Sequence, residues 1–303
     1  MTGNGVELHV PVMRDEVLAC LRPKNGGVYV DATLGLGGHA EAVLRASAPA
    51  GRLIGFEWDR EAVELTGRRL AGFADRLTIC HLSYAKLAAG LAGMGIRHID
   101  GLLADLGVSS LQFDRPERGF SFRGDGPIDM RMDTDTIMDA AAILARASEE
   151  EMADIFYHYG EERQARRIAA HICKARAIAP LTTTRQLADL VARAVPRRFH
   201  PEKIHVATRV FQALRIAVNH ELDNLVRLLA DGPGFLRPGA VFCIITFHSL
   251  EDRIVKQAFR RDERLRPCPV KPVRPTKQEV SENPRARSAS LRCALRVSAQ
   301  EER

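Results

Sequence analysis

The sequence predicts an α/β protein with an open sheet and an all-helical domain inserted between the fourth and fifth strands. Two observations predict it. The first hundred residues alternate short β-branched or apolar runs with runs of helical spacing, the pattern of successive β-α units. From about residue 136 to 230 the pattern is only helical, and the next strand signal is Ala240–Thr246.

Residues 28–39, VYVDATLGLGGH, carry the first strand and the turn that follows it. The run ends in Gly35, Gly37 and Gly38, and a helical run follows over Ala40–Ala46. Glycines permit positive φ and let the backbone approach a ligand closely, as in nucleotide-cofactor sites. Taken alone, the pattern fits an ordinary tight turn equally well, because it is not a complete G-x-G-x-x-G.

A second strand, Arg52–Phe56, ends at Glu57, 20 residues after Gly37. An acidic side chain at this place and distance suits the two hydroxyls of a ribose. Asp31 closes the first strand, and no phosphate-binding lysine follows the glycines. These features favour a cofactor with a ribose and a cationic amino-acid part over one with a pyrophosphate, and they point to S-adenosylmethionine.

The composition is that of an ordinary globular chain, with 46% hydrophobic and 27% charged residues in 303. No apolar run approaches the ~20 residues of a membrane span, and the N-terminus does not resemble a signal peptide. The six cysteines form no Cys-x-x-Cys pair, so neither a metal site nor a disulfide framework is expected, and a reducing cytoplasm is the default.

The net charge of +6 is concentrated at the C-terminus. Residues 253–303 carry 14 Lys/Arg against 6 Asp/Glu, a net +8, whereas the rest of the chain has 30 against 32, a net −2. Such a tail on a near-neutral body suggests a polyanionic partner, with a merely solvated terminus as the alternative.

The elements flanking the glycine turn are two helices and a third strand. Apolar spacing predicts a helix within 8–22, stopped by Pro23 and preceded by His9, which faces the cofactor loop or caps the helix at the surface. A helix over 60–70 and a strand over 76–82 lead to Tyr84. Tyr84 either lies beside an adenine ring or is a buried core tyrosine.

A fourth buried strand is predicted over residues 99–108. Asp105 lies near its carboxyl end, where ligands bind in open α/β sheets, and Ser109, Ser110 and Gln112 follow at once. An unpaired carboxylate in a core is costly, so a functional role for Asp105 is favoured.

Residues 114–133 form a long loop rich in glycine, with arginines at 115, 118, 123 and 131 and phenylalanines at 120 and 122. Arginines for phosphates and aromatic rings for stacking suit a single-stranded nucleic acid. The alternative is a loop folded onto its own domain by the two phenylalanines.

The helical region that follows contains four predicted helices. They span 148–159, opened by a capping box, 161–177, from Thr183 or Thr184 to Pro196, and about 203–230. The basic residues of the 161–177 helix form either a solvated face or a nucleic-acid face.

The fifth strand, Ala240–Thr246, follows a turn at 237–239 and leads into His248. His248 is either a site residue at a strand end or a structural histidine. Two short extended pieces, 270–273 and 291–297, are predicted to add a terminal antiparallel pair to the sheet, with a loop between them that presents arginines.

Several strings in the chain resemble one family closely. They are DATLGLGGH at 31–39, DLGVSS at 105–110, RGFSF at 118–122, GPIDMRMD at 126–133, YGEER at 159–163, FHSLEDR at 247–253 and ENPRARS at 282–288. With the strand order, they resemble the bacterial 16S ribosomal RNA cytosine-N4 methyltransferase family, of the class I (Rossmann-like) methyltransferase fold, over about residues 8–298.

The resemblance implies transfer of a methyl group from S-adenosylmethionine to N4 of a decoding-centre cytidine in 16S rRNA. The expected substrate is this RNA within the 30S subunit. It implies an S-adenosylmethionine domain at 1–113 and 204–303 and a substrate-recognition domain at 114–203. By match, the cofactor residues are Gly37, Gly38, His39, Glu57, Tyr84, Asp105 and Gln112. The family commonly has Asp at the position of Glu57 and often Phe at that of Tyr84, which bears on affinity.

Catalysis by this family would need a hydrogen-bond acceptor on the poorly nucleophilic exocyclic amine. Asp105 is the first candidate, and Ser109, Ser110 and His248 are weaker ones. No cysteine nucleophile is required, because attack by N4 needs no covalent adduct at C6, and the target base must be unstacked to react. No metal ligand is assigned, and whether a metal ion assists is open.

Two rival hypotheses remain for this chain. One is a non-catalytic ribosome-assembly factor, which the intact cofactor residues disfavour. The other is a methyltransferase of DNA or of a small molecule; the chain lacks the Asp/Asn/Ser-Pro-Pro-aromatic motif of DNA amino-methyltransferases, and its basic tail and long loop disfavour a small molecule. Neither a membrane nor DNA is expected as a partner, and the oligomeric state is open.

Overall fold

The computed structural model describes residues 11–298, and these residues form two compact units. One, here called the helical unit, is Val108–Leu222. The chain on either side of it, up to Gly107 and from Asp223, forms the other, here called the sheet unit. Among the described residues, no helix has both the length and the apolar character needed to cross a membrane.

The sheet unit is built on seven strands. They are β1 (Val28–Asp31), β2 (Arg52–Glu57), β3 (Leu77–His81), β4 (Ile99–Asp105), β5 (Leu236–Thr246), β6 (Leu265–Pro267) and β7 (Ser290–Arg296). Their order is β3-β2-β1-β4-β5-β7-β6; the first five run parallel, and β7 and β6 are antiparallel. The predicted class I methyltransferase sheet is confirmed.

Thirteen helices are described along residues 11–298. They are α1 (Arg14–Leu21), α2 (Gly38–Ala46), α3 (Arg60–Arg69), α4 (Leu87–Gly93), α5 (Ser110–Asp114), α6 (Ala140–Arg146), α7 (Glu149–Gly160), α8 (Ala165–Arg176), α9 (Thr184–Ala194), α10 (Thr208–Asn219), α11 (Glu221–Phe235), α12 (Ser249–Arg261) and α13 (Lys277–Glu282). Between β4 and β5 the chain contains helices α5–α11 and no named strand.

The sheet has an apolar core on each face, because strand side chains alternate in direction. Val30, Leu102 and Phe242 face a core that includes residues of α4, α11 and α12. Their neighbours Tyr29, Leu103 and Cys243 face the other core, which includes residues of α1 and α2. Asp31 and Asp105 lie two residues beyond Tyr29 and Leu103, so they extend from the face that α2 covers.

Two strand predictions are corrected by the structure. The fourth strand ends at Asp105 rather than at residue 108. The extended piece predicted over 270–273 is wrong: β6 lies at Leu265–Pro267, and Val273 makes only an isolated bridge with Leu291. Pro269 precedes the predicted piece and Pro272 lies within it, and a proline nitrogen has no hydrogen to donate to a ladder.

The single helix predicted over 203–230 is also wrong, because α10 and α11 are separate helices. His220 between them adopts a left-handed conformation (φ 51°, ψ 37°) and caps α10 by donating its N–H to the carbonyl of Ile216. The apolar spacing continues through Val218 and Leu225, so periodicity could not reveal the break.

The long loop at 114–133 is packed within the helical unit. Arg118 is buried and donates to the carbonyls of Arg131 and Met132 (2.9 and 3.2 Å). Phe120 is buried, and the ring of Phe122 lies 4.8 Å from that of Phe211. Most of the aromatic and cationic groups of the loop therefore hold it in place, as the folded-loop alternative predicts.

Candidate active site

The glycine turn joins β1 to α2 through two residues with positive φ, Gly35 (51°) and Gly37 (77°). A Cβ on Gly37 would lie 2.7 Å from Cδ1 of Leu70 and 2.8 Å from Cγ2 of Thr66. Both the backbone conformation and the packing beneath the turn therefore require glycine at position 37. The turn ends at Gly38, the first residue of α2, where a Cβ would lie 3.2 Å from the ring of Pro11.

Glu57 ties the end of β2 to this turn. Its Oε2 accepts the N–H of Gly35 (2.8 Å), and its Oε1 accepts those of Trp58 (2.9 Å) and Asp59 (2.8 Å). Burial raises the pKa of the Glu57 carboxyl to about 7, and the three backbone donors oppose that rise only in part. Glu57 thus holds the turn in place and presents a buried carboxyl group there.

Asp31, His39 and Asp105 form a buried polar group at the carboxyl ends of β1 and β4. The Nε2 atom of His39 lies 3.6 Å from Oδ2 of Asp105. Thr33 connects the Asp31 carboxylate to the backbone of Asp105: it donates its N–H to Asp31 (3.1 Å), and its hydroxyl oxygen accepts the backbone N–H of Asp105 (2.6 Å). Burial raises the pKa of Asp31 to about 6, and the charge of His39 opposes this rise.

Three atoms of this group are buried without a hydrogen-bond partner: both ring nitrogens of His39 and Oδ1 of Asp105. Unsatisfied buried polar atoms are rare in folded proteins, and each calls for an explanation such as a ligand or water. The group lies where open α/β sheets bind their ligands. Its unpartnered atoms therefore mark a polar binding site.

Tyr84 lies three residues beyond the end of β3. It is 8% exposed, belongs to the core that contains Phe56 and Leu87, and its ring centroid lies 6.0 Å from that of Trp58. Trp58, the single tryptophan, follows Glu57 directly and was missed by the sequence analysis. An aromatic residue directly after an acidic strand end is the sequence signal that could have identified Trp58 as a site residue.

His248 begins α12 at the end of β5 as a helix cap. Its Nδ1 accepts the N–H of Glu251 (3.4 Å), and its Nε2 lies 3.2 Å from Oε1 of Glu251. The Nδ1 atom therefore has a structural role as a helix cap, whereas the buried Nε2 has no hydrogen-bond partner.

Ser109 and Gln112 belong to the helical unit, where they form a capping box at the start of α5. The Ser109 hydroxyl accepts the N–H of Gln112 (3.3 Å), and the Gln112 side chain accepts the N–H of Ser109 (3.1 Å). Ser110 is the first residue of α5. His9 lies outside the described residues.

The sheet unit thus brings together Gly35 with Glu57 and His39 with Asp105, and it adds Asp31 and Thr33 to the latter pair. The sequence analysis noted Asp31 but did not place it beside His39, and it missed Thr33. A threonine two residues after an acidic strand end is a weak signal, because its role depends on the neighbouring strand.

The chain matches the model of the MraW methylase family over residues 6–297. Three proteins named ribosomal RNA small subunit methyltransferase H are among its relatives. That of Desulfotalea psychrophila is 53% identical over 96% of this chain and 99% of its own length, that of Syntrophotalea carbinolica 50% over 95% and 98%, and that of Sorangium cellulosum 50% over 96% and 91%.

The residues at the site fit S-adenosylmethionine. The glycine turn could admit the cofactor close to the backbone at Gly35, where a Cβ would meet only the carbonyl oxygen of Thr33, at 3.9 Å. The carboxylates of Asp31, which is buried, and of Asp105, which is partly exposed, could hold the cationic amino-acid part, and the carboxyl of Glu57 could accept hydrogen bonds from ribose hydroxyls. The chain belongs to the MraW methylase family, and its methyl donor is S-adenosylmethionine.

Proposed function

We propose that this protein methylates the N4 amine of a decoding-centre cytidine in 16S rRNA, within the 30S subunit and in the cytoplasm. The names of its full-length relatives support a small-subunit rRNA substrate. The observation that carries the chemistry is Asp105, whose buried Oδ1 has no hydrogen-bond partner at the carboxyl end of β4.

We assign binding residues to each part of the cofactor. Gly37, Gly38 and His39 line the methionine part, with Asp105, and Glu57 accepts hydrogen bonds from the ribose hydroxyls. Tyr84 is assigned to the adenine, and the family match assigns Gln112 as a further cofactor residue. The three N–H groups on the Glu57 carboxylate leave lone pairs for hydroxyl donors, since two oxygens offer about four acceptor sites.

When bound, the cofactor supplies an electrophilic methyl group. Asp105 accepts a hydrogen bond from the cytidine amine, which returns electron density to a nitrogen whose lone pair is delocalised into the ring, and then takes the proton that the amine loses. Ser109 and His248 are secondary candidates, because each already caps a helix. Much of the remaining rate acceleration comes from positioning the amine against the methyl group.

Residues 114–203 are the proposed substrate-recognition domain. The buried face of α8 is formed by Ala165, Ile168, Ala169 and Ile172, and its opposite face exposes Arg166 and Lys174. Arg123 in the long loop is exposed as well. Cations on one face suit phosphate groups, which provide affinity without reading sequence.

Methyl transfer from labelled S-adenosylmethionine to 30S subunits that lack the modification tests this proposal. We expect label on N4 of a single 16S cytidine, and none on DNA. Label on another atom or another RNA would contradict the proposed substrate. No label despite binding of both cofactor and RNA would instead support the assembly-factor hypothesis.

Cofactor affinity should depend on pH through Asp31. The raised pKa of about 6 means that Asp31 is protonated in the free protein below pH 6, whereas a cationic ligand favours the ionised form. We expect the affinity for S-adenosylhomocysteine to fall as the pH falls from 7 to 5, by at most about tenfold per unit for this one group. Calorimetric titration measures it.

The control for this pH dependence is Asp31→Asn, which keeps an oxygen for the N–H of Thr33. This variant should bind more weakly at pH 7 and show a smaller slope below pH 6.5, with Glu57 as the remaining titrating group. An affinity that stays constant from pH 5 to 7 in the unaltered protein would refute the role of Asp31.

A further inference from the structure

Three cysteines from distant parts of the sequence meet in the sheet unit. Cys20 lies on α1, Cys243 on β5 and Cys293 on β7, and their Sγ atoms all lie within 4.8 Å of one another. The Sγ atoms of Cys243 and Cys293 are 3.4 Å apart. We call these residues the thiol cluster.

The fold explains how the cluster forms. Cys243 and Cys293 are register partners in the antiparallel β5–β7 pair, so their side chains extend from the same face of the sheet. That face carries the core that contains Val17 and Leu21 of α1, and Cys20 packs against this core. Cys243 and Cys293 are buried and Cys20 is half-buried.

The spacing of the sulfur atoms suits a single metal ion. Metal–thiolate bonds of about 2.3 Å, as for zinc, place three sulfurs around one ion about 4 Å apart. The 3.4 Å pair and the 4.8 Å limit of the cluster bracket that separation. Small shifts of side chains would therefore be enough to bring all three sulfurs into bonding distance.

The ligand set is made of sulfur. Among residues 11–298, the group of potential metal ligands at this place contains only the three cysteines, without histidine or carboxylate. Thiolates select soft ions such as Cu(I), Zn²⁺ and Cd²⁺ and disfavour Mg²⁺ and Ca²⁺, which prefer oxygen. A three-sulfur site suits an ion that accepts trigonal coordination.

Binding of a divalent ion by the three cysteines releases their thiol protons to solvent and leaves a net charge of −1 on the site, with Arg22 two residues from Cys20 in the sequence.

We propose that the thiol cluster is a binding site for one soft, thiophilic metal ion, held by Cys20, Cys243 and Cys293. The cluster is held by α1, β5 and β7, whereas Glu57 and Asp105 end β2 and β4 and His39 lies on α2, so the two sites share no residue. A bound ion would link α1 to β5 and β7 and stabilise this side of the sheet.

Titration of the reduced, metal-free protein with Cd²⁺ tests the site, because cadmium–thiolate bonds absorb in the ultraviolet. We expect one equivalent of Cd²⁺ to produce this absorption and to raise the thermal midpoint of the full chain. Cys20→Ser should weaken binding by at least about tenfold, since even contacts outside the ligand shell change metal affinity 10–100-fold.

Cys80→Ser and Cys173→Ser are the matched controls, because these half-buried thiols lie outside the cluster. Both should bind Cd²⁺ as the unaltered protein does. Cys20 is the first ligand to replace because it is half-buried, and circular dichroism and S-adenosylhomocysteine binding verify that the variant folds. Absence of the absorption, or equal binding by a folded Cys20→Ser protein, would overturn the proposal.

Discussion

Replacing Asp105 by Asn should reduce kcat for methyl transfer by about 10²–10³-fold, within the range of general acid–base contributions. The substitution keeps the shape and the backbone bond to Thr33 but removes the charge that attracts the amine proton. The loss corresponds to about 3–4 kcal/mol of transition-state stabilisation. Single-turnover transfer to 30S subunits, with cofactor saturating, measures it.

Asp100→Asn is the matched control for this variant. Asp100 is on the same strand, and its carboxylate accepts the N–H of Val28, away from the group formed by Asp31 and His39. Asparagine can accept the same bond, so turnover should be nearly unchanged.

The Asp105→Asn experiment separates two roles of the carboxylate. If only cofactor affinity falls and kcat at saturation is retained, Asp105 binds the cofactor without acting on the amine. In that case Ser109, whose hydroxyl is a helix cap with a second lone pair, becomes the next candidate.

The strands around the site were predictable because each combines a buried apolar run with a polar end. Arg52–Glu57 and Ile99–Asp105 show this pattern, and the parallel sheet brings their ends to one edge. The contact of His39 with Asp105 follows from the packing of α2 over the sheet. Sequence spacing contains no information on such a distance.

The long loop shows why composition is a weak guide to function. Arginine binds backbone carbonyls as readily as phosphates, so the sequence could not distinguish Arg118, which is buried, from Arg123, which is exposed. The break at His220 was hidden for a related reason. It depends on hydrogen bonds between Asn219 and residues almost ninety positions earlier.

Asn219 is the position where a single substitution should destabilise the helical unit most clearly. Its Nδ2 donates to the carbonyls of Met130 (2.7 Å) and Arg215 (2.9 Å), and its Oδ1 accepts the N–H of Met132 (2.7 Å). The side chain is 7% exposed. It therefore fixes residues 130–132 of the long loop to the end of α10.

Asn219→Ala should lower the free energy of unfolding by about 2–4 kcal/mol, because it leaves buried backbone groups of the loop without partners. Urea unfolding of the full chain gives the value, and hydrogen exchange should show loss of protection at the Met132 amide. Gln212→Ala is the control on the same helix: Gln212 makes a single, half-buried bond to the carbonyl of Tyr159, so its loss should cost about 1 kcal/mol.

Asn219→Asp distinguishes packing from hydrogen bonding at this position. Aspartate has nearly the same shape and can accept from Met132, but it cannot donate to Met130 or Arg215 when ionised. We expect it to be destabilising to a similar degree as alanine. A folded Asn219→Asp protein with unchanged stability and unchanged protection at Met132 would show that Arg118 and the phenylalanines, including the contact of Phe122 with Phe211 on α10, hold the loop without the hydrogen bonds donated by Asn219.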